Sequence, residues 1–480
     1  MRVGSVVSAG LGWSARVVAA GATVLLFAMV PASADTLKGA LTQAYQNNPT
    51  LNAQRASVRA TDETVPQALS GYRPRVSLTA NAGEQYLDSL SKTVSTTTGH
   101  PVTTYNQTSG NVGVQQYGGT ITQTLLNGFA TASRTRQAEQ LVSAARETLR
   151  LTEQTVLLNA ATAYMNLIRD AAILQLQRSN VEVLQEQLRQ TRDRFSAGEV
   201  TRTDVAQAES RLASARATML TAESNYVTSR STYRQVIGVD PGTLAPASPV
   251  DRLSPQTLQA AVEEARARHP SVTTAMFNVD AAVFQVKIAE SSLYPTLNVV
   301  GSAQQTYGST TQLTNVHSFA GSVLGQLTVP VFQGGTEYSA IRQAKETLGQ
   351  RRIDLDTARD QSQQTLTQSW GQLEAAKAQI QATTTQVNAS EIALNGVREE
   401  ARVGQRTTLD VLNAQQELVN ARVSLVTAQR DRVVASYTLL ASAGRLSPEV
   451  LALEVPVYDP KVHYHQVRDT WVGVRTPDGK

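Results

Sequence analysis

From Ala130 to Ser196 the sequence contains neither proline nor glycine. At 1.5 Å per residue, an uninterrupted helix over that span is about 100 Å long, more than a globular domain can enclose. Leu167, Leu174, Val181, Leu188 and Phe195 recur every seven residues along it, and Leu366, Leu373, Ile380, Val387 and Leu394 do the same in a second run, 336–403. Val205, Leu212, Met219, Tyr226 and Tyr233, then Leu412, Val419, Val426, Val433 and Leu440, form two shorter series. Sevenfold apolar spacing is the seam of a coiled coil. Ile341, Leu348 and Leu355 continue the second seam upstream, and the eleven-residue step to Leu366 is a stutter that locally unwinds a left-handed supercoil. Gly349, Gly371 and Gly396 weaken this second helix.

The two runs belong to an internal duplication. "SAGEVTRTDV" at 196–205 and "RVGQRTTLDV" at 402–411 align at an offset of 206, pairing Gly198 with Gly404, Thr201 with Thr407 and Asp204 with Asp410. Upstream, "NGF" at 127–129 pairs with "QGG" at 333–335, and Arg136 with Arg342. Pro49 and Pro74 pair with Pro270 and Pro295 at a different offset, 221, so the first copy carries an insertion between them and the glycine motif. The expected organisation is a first repeat at 35–238, a linker at 239–257 broken by prolines, a second repeat at 258–444 and a tail at 445–480.

Residues 1–34 carry Arg2 and Arg16, an apolar run from Val17 to Val30 and "ASA" before Asp35, the layout of a cleavable secretory signal. The chain has no cysteine, which excludes disulfides, thiolate metal sites, cysteine nucleophiles and an acylated cysteine. Lys and Arg total 43 against 39 Asp and Glu, and two of the basic residues lie in the signal. The remainder is nearly neutral and lacks the footprint of a nucleic-acid-binding protein.

Beyond the signal no stretch approaches the ~18 apolar residues of a spanning helix, so membrane insertion must be by strands. Val76, Leu78, Ala80 and Ala82 alternate with polar residues, as do Phe319, Val323, Leu327, Val329 and Val331, with Gly321 and Gly325 between them. Each repeat reads as strand, polar loop, strand: 75–85 and 111–126, then 296–306 and 318–332. Long helices follow at 129–196 and 336–403, and shorter ones at 201–236 and 407–443. Tyr72, Phe129, Tyr294 and Phe332 fall at one end of the strands and Tyr86, Tyr117, Tyr307 and Phe319 near the other, as aromatic girdles do at two membrane interfaces. Four spanning strands cannot close a barrel, because a sheet edge cannot face lipid. Two chains supply eight strands and three supply twelve; an eight-stranded barrel fills with side chains, so a pore favours three or more.

This layout, with "VPVFQGG" at 329–335 entering "IRQAK" at 341–345 and the paired "AGEVTRTDV" and "VGQRTTLDV" corners, resembles the TolC-type outer-membrane channels of Gram-negative bacteria. The resemblance spans about 36–445. It implies a mixed α/β homotrimer with one shared 12-stranded transmembrane β-barrel, four strands per chain, continued by a coiled-coil α-helical tunnel in the periplasm. It further implies an exit duct for efflux or type I secretion, working with a periplasmic membrane-fusion adaptor and an inner-membrane ABC or other efflux transporter, with no cofactor and no enzymatic activity. The tail "YDPKVHYHQVRDTWVGVRTP" at 458–477 resembles tails of the type I secretion branch.

Gly198 and Gly404 are placed to end the long helices in the left-handed conformation, and Thr201 and Thr407 to cap the next ones with Asp204 and Asp410 in a capping-box-like pattern. Helix termination alone accounts for these residues. The resemblance adds that the corners close the tunnel and dock the adaptor. Asp410 then matches an acidic position at the constriction, and Arg406, Asp204 and Thr203 its polar network. Gly198, Glu199, Val200, Thr201, Gly404, Gln405 and Thr407 form the docking tips. Asn413, Ala401 and Gln429 depart from an acidic, a tyrosine and an arginine position of the family, so the expected gate has fewer polar links and one ring of Asp410.

Two other functional classes fit the residues less well. An enzyme finds no support: His100, His269, His317, His463 and His465 lie in expected loops, a helix corner or the tail, and "HYH" at 463–465 offers two ligands without a third on an extended surface segment. "QGGT" and "YGGT" lack the Lys and spacing of a P-loop. A soluble periplasmic coiled-coil scaffold or adaptor has no reason to carry two alternating hairpins with aromatics at both ends. The polar stretches 88–110 and 308–316 should face outside the cell; a protease site inserted near Thr98 is expected to be cut by external protease in intact cells, and resistance would reverse the topology.

Overall fold

The structure is a computed structural model, and it describes residues 35–96, 99–309, 316–477 and 479. The signal reading for 1–34, Thr98 and most of the second polar stretch lie outside the described residues. The first half runs α1 (Leu37–Asn47), α2 (Pro49–Asp62), α3 (Thr64–Leu69), β1 (Arg75–Ser95), β2 (Val102–Asn127), α4 (Ala130–Ser196) and α5 (Arg202–Ile237). The second runs α6 (Leu258–Arg268), α7 (Pro270–Glu290), β3 (Thr296–Ser309), β4 (Val316–Thr328), α8 (Thr336–Arg402) and α9 (Thr408–Ser442), followed by α10 (Lys461–Val467).

Both long helices are 67 residues, unbroken. Glycines 349, 371 and 396 sit within α8 with open space around them and do not interrupt it. Leu167, Leu174, Val181 and Leu188 are buried, as are Leu366, Leu373, Val387 and Leu394. Each fully buried leucine contributes about 2 kcal/mol. Phe195, the last of its series, is instead 45 % exposed at the helix end.

Each long helix is accompanied by two shorter ones laid end to end. Asn48, the cap of α2, donates through Nδ2 to the Val236 carbonyl near the end of α5 at 2.9 Å. Gly444, just past α9, abuts His269 and Pro270 at the start of α7, where an added Cβ would lie 3.1 Å from the His269 Cα. At the waist, α1, the linker and part of the tail cover the middle of α4 in the largest apolar cluster, built around Leu41, Leu157, Tyr164, Tyr233 and Leu440. The linker is pinned there: Leu244 bridges Asp35, and the Tyr164 hydroxyl lies 2.7 Å from the carbonyl oxygens of both Asp35 and Ala245.

The strands form one antiparallel sheet in the order β1-β2-β3-β4. Register places Val76 beside Ile121, Leu297 beside Leu327 and Gly301 beside Val323, on one face, with Tyr117 meeting Tyr307 edge-on at a ring distance of 6.3 Å. The opposite face carries Ser77, Thr79, Thr120, Thr122, Gln304 and Ser302, whose hydroxyl lies 2.8 Å from that of Ser322. This separation into an apolar and a polar face is the pattern of a barrel wall between lipid and water. A bulge between Thr124 and Leu126 re-aims β2 where the sheet meets the helices.

Two strand limits differ from the sequence reading. The first hairpin runs 21 and 26 residues, pairing as far as Ser95 with Val102, so most of the expected loop 88–110 is strand. Its Thr, Val and Tyr residues favour the pleat, and pairs such as Thr93 with Thr104 hold it. Glu84, Asp88 and Lys92 fall on the same face as Tyr86, so the apolar band ends around that tyrosine. In the second hairpin, β3 reaches Ser309 and β4 ends at Thr328 instead of 332, because Pro330 has no N–H for the ladder. The tail is not merely irregular: 461–467 is helix.

The sheet passes into the long helices through left-handed residues. Gly128 and Phe129 have φ of 59° and 64°, Gly334 and Gly335 of 73° and 86°. A Cβ on Gly128 would lie 2.6 Å from the Tyr294 Cβ and 2.9 Å from the Ser291 carbonyl oxygen, whereas nothing lies within 4 Å of one on Gly334. Gly128→Ala is therefore expected to lower the melting temperature, followed by circular dichroism in detergent, clearly more than Gly334→Ala, which costs only the left-handed strain of about 1 kcal/mol. Equal effects would contradict this assignment.

Candidate functional site

The two helical corners are built alike. After α4, Gly198 donates to the Phe195 carbonyl at 3.0 Å and Glu199 to the Arg194 carbonyl at 2.9 Å; after α8, Gly404 donates to Ala401 at 3.2 Å and Gln405 to Glu400 at 2.9 Å. This pair of bonds, with φ of 79° and 80° at the glycines, is a Schellman termination. Thr201 and Thr407 then start α5 and α9 with full capping boxes. The Thr201 N–H and hydroxyl donate to Asp204 Oδ2 at 2.9 and 2.7 Å, and those of Thr407 to Asp410 Oδ2 at 3.0 and 2.8 Å.

These bonds set the electrostatics. For Asp204 the Thr201 hydroxyl, and for Asp410 the Thr407 backbone N–H, is the largest influence holding the carboxyl below the ordinary aspartate range. Arg406 adds to the effect on Asp410 by its charge. Arg406 itself pairs with Glu400, Nε to Oε2 at 2.9 Å, and not with Asp410 or Asp204. The first corner has the mirror arrangement, Arg194 on the helix with Glu199 in the turn at 3.1 Å. Thr203 is exposed.

The hairpins are tied together a turn further in. Arg211 of α5 donates to Asn413 Oδ1 of α9 at 2.7 Å, and Leu412 packs with Val181, Leu188 and Leu212 of the first hairpin. A cleft of about 340 Å³ separates the tips, lined by Arg194, Glu199, Asp204, Arg406 and Thr407, and a second of about 630 Å³ lies between α4 and α8. Ala401 lines both, leaving open the space that a large side chain at that position would occupy. Gln429 is exposed and lies about 28 Å beyond Asp410 along α9, at 1.5 Å per residue.

Sequence reasoning thus located the corners and caps, and Glu199 as a tip residue, but missed Glu400, Arg194 and Arg211 and the ion pair that Glu199 makes with Arg194. The opposite charges flanking each glycine were the available signal for three of them; Arg211 has none, since its partner comes from the other hairpin. "HYH" is corrected as well. It lies in α10, and His463 is buried with Nδ1 3.0 Å from Asp62 Oδ2, because α10 packs on α2 and turns this ring inward. His317 lies in β4, not in a loop.

A sequence profile of the outer membrane efflux protein family matches the chain over residues 40–239 and again over 261–445. The chain belongs to this family. It is 41 % identical over 458 residues to the outer membrane efflux protein BepC of Brucella suis, covering 94 % of both chains. It is 28 % identical over 322 residues to the outer membrane protein TolC of Escherichia coli, covering 64 % of this chain and 65 % of that one. The alkaline protease secretion protein AprF of Pseudomonas aeruginosa is 26 % identical over 67 % of this chain and 68 % of its own length. Among solved structures, the Campylobacter jejuni CmeC outer membrane channel superposes with a TM-score of 0.71 at 14 % identity, over 90 % of this chain and 89 % of that one, and shares the fold. As an outer membrane efflux protein the chain resides in the outer membrane, and the soluble-scaffold reading is not favoured. No helix among the described residues is long and apolar enough to cross a membrane; the sheet is the element with a lipid-compatible face.

The caps carry a pH dependence. Folded values below the ordinary 3.8 mean that the caps are complete above that pH and are lost as the pH falls through the depressed values. Hydrogen-exchange protection of 202–206 and 408–412 is expected to drop on acidification below pH 3.8. Asp204→Asn with Asp410→Asn, which cannot titrate, should flatten the profile; an unchanged profile would count against the carboxylates.

Proposed function

We propose that three copies of this chain close one twelve-stranded barrel and one helical tunnel, forming a passive exit duct for efflux or type I secretion. The observation that carries this is the four-stranded sheet: apolar on one face, polar on the other, and unpaired at both outer edges, β1 and β4. Unpaired backbone groups cannot stay in hydrocarbon, so β1 of one copy must meet β4 of the next. The shorter β4 pairs with the lower part of β1, and the upper part of the first hairpin projects beyond the membrane. The internal duplication gives the ring six helical hairpins of two alternating kinds.

The tips form the periplasmic end. Gly198, Glu199, Val200 and Thr201 in one tip and Gly404, Gln405 and Thr407 in the other offer the exposed surface to a periplasmic adaptor, which couples the duct to an inner-membrane transporter. Asp410, one per chain, supplies a ring of three carboxylates at the opening. Those carboxylates stay ionised because their own helix caps hold them so. Arg211 and Asn413 join the second hairpin to the first, and Arg406 is neutralised by Glu400, so opening requires few polar links to break. The relatives include both efflux and protease-secretion proteins, and a passive duct serves both, with selection left to the transporter.

Planar-bilayer recording tests the gate. Asp410→Ala is expected to reduce cation preference several-fold, and Arg211→Ala to raise conductance by freeing the second hairpin. Unchanged selectivity in the first variant would remove Asp410 from the constriction; unchanged conductance in the second would remove the Arg211 link from the lock.

A further inference from the structure

The tail after α10 runs to the base of the sheet. α10 is fastened to the outside of α2 and α4: His463 meets the buried Asp62, the Arg146 guanidinium lies 5.0 Å from the Tyr464 ring centre, and Val467 is buried. Tyr464 also packs against the cluster of Val65, Ala138 and Val142. Since α2 and α3 lead directly into β1, this docking carries the chain toward the base of the sheet. There Arg73 Nη1 donates to the Thr470 carbonyl at 2.7 Å, and its guanidinium stacks 4.7 Å from the Trp471 ring centre.

Arg73 follows Tyr72, one of the exposed aromatics at the sheet-to-helix junction with Phe129, Tyr294 and Phe332. Trp471, Val472 and Val474 are 65 %, 87 % and 100 % exposed. Single exposed apolar residues are ordinary, but three within four positions, held by two contacts to Arg73, the neighbour of Tyr72 in the chain, form a directed patch. Arg73 touches it, and Arg468 and Arg475 flank it in the sequence, with Asp469 and Asp478 as the acids of 468–480. Tryptophan flanked by arginines is the composition that settles at the headgroup layer, the indole at the acyl boundary and the guanidinium groups on phosphates.

We propose that 470–475 is an interfacial anchor, in which Trp471, Val472 and Val474 enter the phospholipid surface of the periplasm-facing leaflet and Arg73 orients the indole. Continuity with the Tyr72 girdle selects lipid as the occupant. The anchor braces the joint between barrel and tunnel from outside, at a point where α2, α3 and β1 meet. It rests on the barrel reading above, in that the girdle must lie at the membrane.

Trp370 and Trp471 are the two tryptophans after residue 34, so Trp370→Phe leaves Trp471 as the reporter. In proteoliposomes of acyl-chain-brominated phosphatidylcholine with phosphatidylglycerol, Trp471 emission is expected to fall to less than half, with weak quenching by aqueous acrylamide. Adding Arg73→Ala should reverse that order. Strong acrylamide quenching without lipid quenching would show a solvated tail, and quenching by neither would show that protein covers it; either overturns the anchor. Phe319→Trp with Trp370→Phe and Trp471→Phe places a reporter on the apolar strand face instead. If bromolipid quenches this reporter and not Trp471, the anchor alone fails; if it quenches neither, the barrel reading fails first.

Discussion

A backbone amide in hydrocarbon has no water to turn to, and the outer strands of this sheet present a row of such amides on either side. Every larger feature depends on satisfying them. The sheet is exposed on both faces within one chain, so burial inside the protomer cannot stabilise it. In the proposed trimer, lipid covers one face, the lumen hydrates the other, and copies of the same chain pair the edges. The protomer's own packing is concentrated in the helices, in the leucine seams and the waist cluster.

The long helices have to match a tunnel of constant thickness, and the chain meets that demand by pairing each with two short helices in line. The junctions between the short helices are therefore structural weak points. They are closed by particular contacts: the Asn48 amide on Val236 in one column, and the side-chain-free surface of Gly444 against His269 and Pro270 in the other. The waist elements α1, α6, the linker and the tail gather around these columns. This explains why a linker with four prolines is packed and hydrogen-bonded despite having almost no regular structure.

Much of this was legible in the sequence because helix ends obey local chemistry. Gly198, Gly404, Thr201 and Thr407 act on groups within a few residues, and the helices they bound match the expected limits to within about a residue. Sevenfold leucines likewise declare their own seam. The upper half of the first hairpin was hidden because hydropathy reports contact with lipid, and its strands continue into water where threonine and tyrosine suffice. Within the candidate site, Thr407 and Asp410 could be paired from their spacing. The link from Arg211 to Asn413 could not, because it joins residues about 200 positions apart on different hairpins.

The two joints between sheet and helix differ in stiffness, and this has a mechanical consequence. Phe129 holds a left-handed backbone that its side chain disfavours, and Gly128 beside it is wedged between Tyr294 and Ser291. At the corresponding Gly334 and Gly335 an added Cβ would meet nothing within 4 Å in the protomer. In a ring of three chains, rigid struts and swivelling struts would alternate around the collar. A torque applied at the far end would then be resisted by one set and converted into rotation by the other, letting the tunnel untwist while the barrel above it keeps its shape.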